Sequence, residues 1–551
     1  MTTSAGHLIV KTLEAQGVRR IYAVPGESYL DVLDGLHDST IETVVTRHEG
    51  GAGFMALAEG RLGSVPGIAM VTRGPGAANA FIAIHTAWQD ATAMVLFVGL
   101  IPQADRGRAS FQEFSLDGWF ATTTKGIFVI DDEHQAGDVV ARALRLAATG
   151  RPGPVVVGLP EDVLIRLTDA PVPAVLPLPE SAPSATALAK FSTMLTEAQR
   201  PVIVVGGDGW DTATSTALAD FAAAAHVPLM ADWRAYDAID HDAQAYAGWL
   251  GYGRSENAVT ALGNADLLVF VGCARTDVLS EGYQVALETP SIIVTTDAEL
   301  IGHAGRIDAH LSTSPADFVA ALPEATTVRG SRGPQWLKQL RGEQLAFTRS
   351  GADGGQGVDL GLAFEALEKA LDSDRILTYG AGNATLWGHR YLSHHQPKTL
   401  VGPRNGAMGL SVPAAVAASI MHPGRHVVAI CGDGDFFMNA QELAVSFAHG
   451  GTPLIVVVDN GIFGTIVDHQ QRKYPQRPSG TSMENPNFAQ WIQSFGGHGE
   501  LVTSTEEFAP ALQRALSSGL PAVLHLKTDP TTMGPGTVAH QATNNAQESI
   551  A

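Results

Sequence analysis

The sequence predicts an α/β protein made of three doubly wound parallel-sheet domains. Three observations carry this prediction. The chain has 551 residues, too many for one hydrophobic core. Short apolar runs alternate with amphipathic stretches along most of it, as βαβ units require. Two loop-rich stretches divide that pattern: TDAPVPAVLPLPESAPS at Thr168–Ser184, and a second from about Pro323 to Gly357.

In the first segment, residues 1–167, His7–Gln16 reads as a helix. Ile21–Val24, Ile41–Thr46, Ile68–Thr72, Met94–Gly99 and Val155–Leu159 read as strands, with helices from about Gly51 and Ala77. The second segment, 185–322, offers the strands PVIVVG, DLLVFVG and SIIVTTD. The linker after it holds a short helix around Trp336. The third, 358–530, offers RILTYG, HVVAICG, TPLIVVVDN and AVLHLK. Residues 531–551 are polar and read as a loose tail or a lid. No short-period repeat is visible.

Composition narrows the function. Hydrophobic residues are 45% and charged residues 17%, which is globular. The formal net charge of −21 argues against nucleic acid as a partner. The two cysteines, Cys273 and Cys431, lie in or at the end of apolar runs and read as buried thiols. No secretory signal pattern and no membrane-spanning apolar stretch is visible, so the expectation is a cytoplasmic protein.

The strongest chemical signal is HVVAICGDGDFFMNAQELAVSFAHGGTPLIVVVDNGIFGTI. It reads strand, turn, helix, strand, turn. Asp433 follows one strand and Asn460 follows the next, 27 residues further on. One helical crossover has that length, so both side chains emerge at the carboxyl edge of adjacent parallel strands, where α/β sheets bind ligands. A carboxylate, an amide oxygen and a backbone carbonyl are hard ligands that suit Mg²⁺. Gly432 and Gly434 let the backbone approach a phosphate, and a helix start follows. The plain alternative is a βαβ crossover with a Gly-rich turn.

The GDG turn followed one crossover later by Asp459-Asn460 resembles the metal motif of thiamine-diphosphate enzymes, and RHEGGAG around Glu49 is similar to the acetolactate-synthase pattern. The resemblance implies thiamine diphosphate and Mg²⁺ as cofactors, with Asp433, Asn460 and the Ile462 carbonyl as metal ligands. It assigns Gly432, Gly434 and Asp435 of the turn to cofactor binding. It makes Glu49 the partner of N1′ on the cofactor's aminopyrimidine, sharing a proton with it. In GPRNGAMGLSVPAA it makes Met408 the wedge between the two rings and the Gly406 carbonyl an acceptor for the 4′-amino group. GPGAAN at Gly74–Asn79 half-fits a dinucleotide fingerprint, but the resemblance places Asn79 near the pyrimidine.

For the substrate, the resemblance carries over Gln112 of FQE as a partner of the reacting carbonyl. Glu27 of VPGES departs from acetolactate synthases. Facing inward, it would add an acid–base group and repel a second 2-oxoacid carboxylate. Gly382-Asn383-Ala384-Thr385 and DWRAYDA are further departures. The implied activity is C–C bond cleavage or formation on a 2-oxoacid or related carbonyl compound, in a homodimer or homotetramer with active sites between chains. In the central domain the resemblance leaves room for FAD, or for a CoA or ADP moiety as in oxalyl-CoA decarboxylases and 2-hydroxyacyl-CoA lyases. An FAD- or NAD-dependent oxidoreductase is the alternative of another class.

Overall fold

Parallel neighbours can be joined only by a crossover, so a chain that alternates strand and helix builds sheets whose strands all point one way. A computed structural model describes residues 2–538 except 180, 208, 303–304, 350, 352–354 and 536. Three sheets of six strands form among these residues, and every pairing within them is parallel.

The first sheet holds β1 (Arg20–Ala23), β2 (Glu42–Val45), β3 (Gly67–Val71), β4 (Met94–Leu100), β5 (Gly126–Val129) and β6 (Pro154–Pro160), in the order β2-β1-β3-β4-β6-β5. The central sheet holds β7 (Pro201–Val205), β8 (Leu229–Asp232), β9 (Tyr246–Leu250), β10 (Leu267–Val271), β11 (Ser291–Val294) and β12 (Ala309–Leu311), in the order β9-β8-β7-β10-β11-β12. The third holds β13 (Ile376–Tyr379), β14 (Leu400–Val401), β15 (Val427–Gly432), β16 (Leu454–Asp459), β17 (His498–Val502) and β18 (Ala522–Lys527), in the order β14-β13-β15-β16-β18-β17. The outer two sheets therefore share one strand order. The central sheet has the order of dinucleotide-binding folds, with its switch point between β7 and β10.

The apolar runs fall within a residue or two of their predicted places. Ile21–Val24 is Arg20–Ala23, and Met94–Gly99 is Met94–Leu100. The strands that the sequence did not announce are mostly at sheet edges: β5, β9, β12, β14 and β17. An edge strand pairs on one side only and can be short or partly polar, as β14 and the HGELV strand β17 are. Helices α1 (Glu49–Leu62) and α2 (Gly74–Asp90) begin two and three residues before their predicted starts. Glu49 is thus a first-turn residue. Pro75 sits in the first turn of α2, where its missing N–H leaves no bond unmade. Residues Thr532–Gly534 and Thr537–Val538 pair as a short hairpin, and the tail predicted beyond them, 539–551, lies outside the described residues.

The third sheet lies between the other two domains: one of its faces shares a core with the central sheet and the other with the first sheet. Helix α3 (Ser411–Met421), SVPAAVAASIM, is apolar all round and buried except at Met421, as a helix enclosed on every side must be. It packs on α1, where EGGAG keeps the backbone bare. Gly51 has no alternative there, because a Cβ would lie 2.5 Å from the Glu442 carboxyl group. Glu442, fully buried, accepts hydrogen bonds at 3.1 and 3.2 Å from the backbone N–H of Arg47. It thereby ties the third domain to the turn that presents Glu49.

Burial pushes the Glu442 carboxyl up to about 7 from 4.5, against the opposing pull of the Arg47 and His48 backbone N–H groups. The folded chain keeps a proton there that the unfolded chain releases. That stabilisation is full below pH 4.5 and is lost as the pH rises through about 7. Glu442→Gln is predicted to flatten the fall in unfolding free energy across this window, by roughly 2–3 kcal/mol. Denaturant titrations at several pH values check it. A slope unchanged from the parent protein would assign the titration to another group.

Candidate active site

The carboxyl edge of the third sheet opens into a cleft of about 370 Å³. Asp433 stands at the end of β15 and Asn460 at the end of the adjacent β16, and Ile462 follows on the same loop. All three line the cleft, together with Gly406, Met408, Gly432, Gly434 and Asp435. Every predicted residue of the third domain is therefore brought to one place. A Cβ on Gly432 would come no nearer than 4.0 Å to any atom and would stand in the open cleft, so the glycine keeps that space clear. The Asn460 side-chain oxygen accepts from Ile462 N at 3.1 Å, and the Ile462 carbonyl accepts from Gly464 N at 2.9 Å. Each of these oxygens has a second lone pair left for a cation. The helix after the turn, Asp433–Asn439, is only seven residues long.

Asp433 and Asp459 are buried side by side. Asn485 donates to both, at 2.7 Å to Asp433 and 3.0 Å to Asp459. Gly461 N also donates to each at 3.0 Å. His525 Nδ1 accepts from Phe488 N, so Nε2 carries the proton that Asp459 receives at 2.6 Å. Lys527 donates to the same Asp459 oxygen at 2.7 Å. Burial and the neighbouring Asp459 carboxylate hold Asp433 above the usual carboxylate range. Burial pulls Asp459 the same way but is outweighed by the bonds from His525, Lys527 and Asn485, which hold it below that range. Asp459 is thus the fixed anion of the pair. Asp435 does a different job: it accepts from Gly409 N at 2.7 Å, Ser411 Oγ at 2.7 Å and Ala381 N at 3.4 Å, and so braces the loops around the cleft.

The remaining predicted residues lie at the carboxyl edge of the first sheet and do not line this cleft. Glu49 follows β2 and accepts from Asn79 Nδ2 at 2.9 Å. Glu27 follows β1 and accepts from Arg73 Nη1 at 2.9 Å, and Gln112 Oε1 lies 3.5 Å from the same nitrogen. Arg73 also pairs with Glu161 at the end of β6. Gln112 has φ +62°, a left-handed conformation that costs of order 1 kcal/mol and is held by its carbonyl bond to Gly74 N.

Sequence reasoning missed Arg73, Asn485, His525 and Lys527. The signal for the last two was present: they alternate along the otherwise apolar strand AVLHLK, and Lys527 is in register with Asp459.

A second cleft, of about 410 Å³, lies at the switch point of the central sheet, lined by Gly207 beyond β7 and Gly272–Cys273 beyond β10. Two arginines border it, and both are already paired: Arg404 with Asp232 at 3.0 Å and Arg151 with Asp297 at 3.4 Å.

A cleft at the carboxyl edge of a parallel sheet is where α/β folds bind ligands, and comparison with known proteins gives the class of this one. Residues 3–118 match the N-terminal TPP binding domain of thiamine pyrophosphate enzymes, 188–322 their central domain and 380–526 their C-terminal TPP binding domain. The acetolactate synthase isozyme 2 large subunit of Escherichia coli strain K12 is 30% identical over 526 residues, covering 95% of both chains. The probable acetolactate synthase large subunit of Methanocaldococcus jannaschii is 29% identical, covering 95% of this chain and 91% of that one. The catabolic acetolactate synthase of Raoultella terrigena is 29% identical over 95% of this chain and 94% of its own. The chain belongs to the acetolactate-synthase-like group of thiamine-diphosphate-dependent enzymes. Among the described residues no helix is long and apolar enough to cross a membrane.

Asn485→Ala would leave the Asp433 and Asp459 carboxylates facing each other with the Gly461 N–H as their one remaining shared donor. It is predicted to weaken Mg²⁺ binding by roughly tenfold or more. A Mg²⁺ titration of the intact protein with thiamine diphosphate present measures this, and unchanged affinity would remove Asn485 from the site.

Proposed function

We propose that the protein is a Mg²⁺- and thiamine-diphosphate-dependent lyase or carboligase acting on a 2-oxoacid or related small carbonyl compound. It works as a homodimer or homotetramer, each active site lying between the third-domain cleft of one chain and the first-domain edge of another. One observation carries this reading: a single cleft gathers the predicted metal and diphosphate residues, while Glu49 stands outside it on an open edge. Large apolar side chains beside both halves support a second copy as the cover: Phe111 next to Gln112, and Phe437 and Met438 after the GDGD turn, are 78%, 44% and 48% exposed.

In this reading Asp433, Asn460 and the Ile462 carbonyl hold the cation. Gly432 gives the diphosphate its space, and Met408 and the Gly406 carbonyl face the rings. Bound thiamine diphosphate supplies the nucleophilic carbon and the electron sink. Glu49 exchanges a proton at N1′ of the aminopyrimidine, oriented by the Asn79 amide. Gln112 and Glu27 face the substrate carbonyl, and Arg73 fixes Glu27 in place. Arg73 is shared between two carboxylates, Glu27 and Glu161. Together the three carry a net negative charge, which disfavours a second carboxylate-bearing substrate. Proton uptake or transfer to an uncharged acceptor is therefore favoured over the joining of two 2-oxoacids.

The strand order of the central sheet and the cleft at its switch point support a nucleotide there, FAD or the ADP moiety of a CoA thioester. With Arg151 and Arg404 already paired, backbone groups at the strand ends would carry most of the phosphate contact. The visible absorption spectrum of the purified protein distinguishes a flavin from a colourless nucleotide.

Release of CO₂ from a panel of 2-oxoacids, followed with cofactor and Mg²⁺ present, tests the reaction. At least one acid should turn over. Glu49→Gln should lower that turnover about a hundredfold or more while cofactor binding persists. Undiminished turnover in Glu49→Gln would contradict the role given to Glu49.

A further inference from the structure

Arg234 belongs to the central domain, two residues past β8, yet its guanidinium group reaches into the third domain. It is 4% exposed. Its Nε donates to the Pro403 carbonyl at 3.2 Å and its Nη2 to the Gly380 carbonyl at 3.0 Å. Its Nη1 lies 3.1 Å from His389 Nε2. A guanidinium can only donate, so His389 Nε2 is the acceptor and the ring proton sits on Nδ1. That Nδ1 is buried with no partner among the described residues. Trp233 covers the face of the guanidinium at 4.0 Å.

The two carbonyls head the loops that wall the cofactor cleft. Gly380 leads into Ala381–Leu386, and Pro403 leads to Gly406 and Met408. Asp435 grips the same loops from within their own domain through the N–H groups of Ala381 and Gly409. A Cβ on Gly380 would fall 2.1 Å from an Asp435 oxygen, so this grip leaves no room for a side chain. Both loops are therefore held twice: their N–H groups by a buried anion, their carbonyls by a buried cation. The carboxylates of Asp90 and Asp232 favour this buried cation through space, but all three of its side-chain hydrogen bonds go to two loop carbonyls and an imidazole, which argues for a positional role. Trp233 and Arg234 both line the cofactor cleft, and Asp232 and Trp233 both line the central cleft, so this segment is the wall between them.

We propose that Arg234 is a positioning residue for the cofactor, through which the central domain sets the spacing of the 380–386 and 403–409 loops. The proposal rests on reading this cleft as the thiamine-diphosphate site. Lysine keeps the charge but cannot present three donors in one plane. Arg234→Lys should therefore raise the dissociation constant for thiamine diphosphate with Mg²⁺ about tenfold or more. It should also speed amide hydrogen exchange in both loops, while strands β7, β10 and β11 keep their protection. Arg234→Met, close in length, should show the larger change in both readouts, and if it does not fold, Arg234→Lys decides alone. Binding within about twofold of the parent protein, with exchange unchanged in both loops, would overturn the proposal. Should the parent protein bind no cofactor, the reading of the cleft fails, and the exchange data still decide whether Arg234 sets the loops.

Discussion

Everything chemical in this protein depends on the direction of its strands. A wholly parallel sheet places the end of every strand, and the loop after it, on one edge. Asp433, Asn460 and the Gly380 and Pro403 loops all leave the third sheet at that edge, from β15, β16, β13 and β14. Glu27, Glu49, Arg73, Gln112 and Glu161 leave the first sheet in the same manner, after β1, β2, β3, β4 and β6. The outer sheets share one strand order, so the two half-sites are built on one plan and carry different chemistry. One presents a carboxylate, an amide oxygen and a backbone carbonyl around an open cleft. The other presents carboxylates, an amide and an arginine that joins them.

Buried ionisable groups hold these edges in place. Asp459 lies beside Asp433, fixed by His525, Lys527 and Asn485. Arg73 joins the loops after β1, β4 and β6. Glu442 ties the turn before Glu49 to the third domain. Each of these groups is hydrogen-bonded, as a buried ionisable group must be if the fold is to tolerate it. Each also joins segments that lie far apart in the chain. The loops at these edges are thereby tied to one another and to the sheets that carry them.

The same facts explain what the sequence disclosed. Asp433 and Asn460 were legible because one crossover fixes their spacing, and the strands around them are apolar runs. Glu49 was legible because RHEGG puts it between a strand and a helix, and the glycines behind it report a close approach. The partners of these residues were not legible. Asn485 comes 52 residues after Asp433 in the chain and returns on a loop that no periodicity marks. Nothing in the sequence around Arg73 marks it as the point where two carboxylates converge. Most of the strands that were lost lie at sheet edges, where one-sided pairing imposes little pattern. The shared order of the outer sheets was invisible because topology is a relation among crossovers and leaves no repeated residues.

The central claim is that the third-domain cleft binds thiamine diphosphate through a divalent cation. Calorimetric titration of the purified, stripped protein with thiamine diphosphate, with and without Mg²⁺, tests it most directly. The account predicts binding that appears with Mg²⁺ and is lost when the ion is chelated. Binding that is equally tight without any divalent ion would contradict the roles of Asp433, Asn460 and Ile462, and absence of binding at every Mg²⁺ concentration would contradict the site itself.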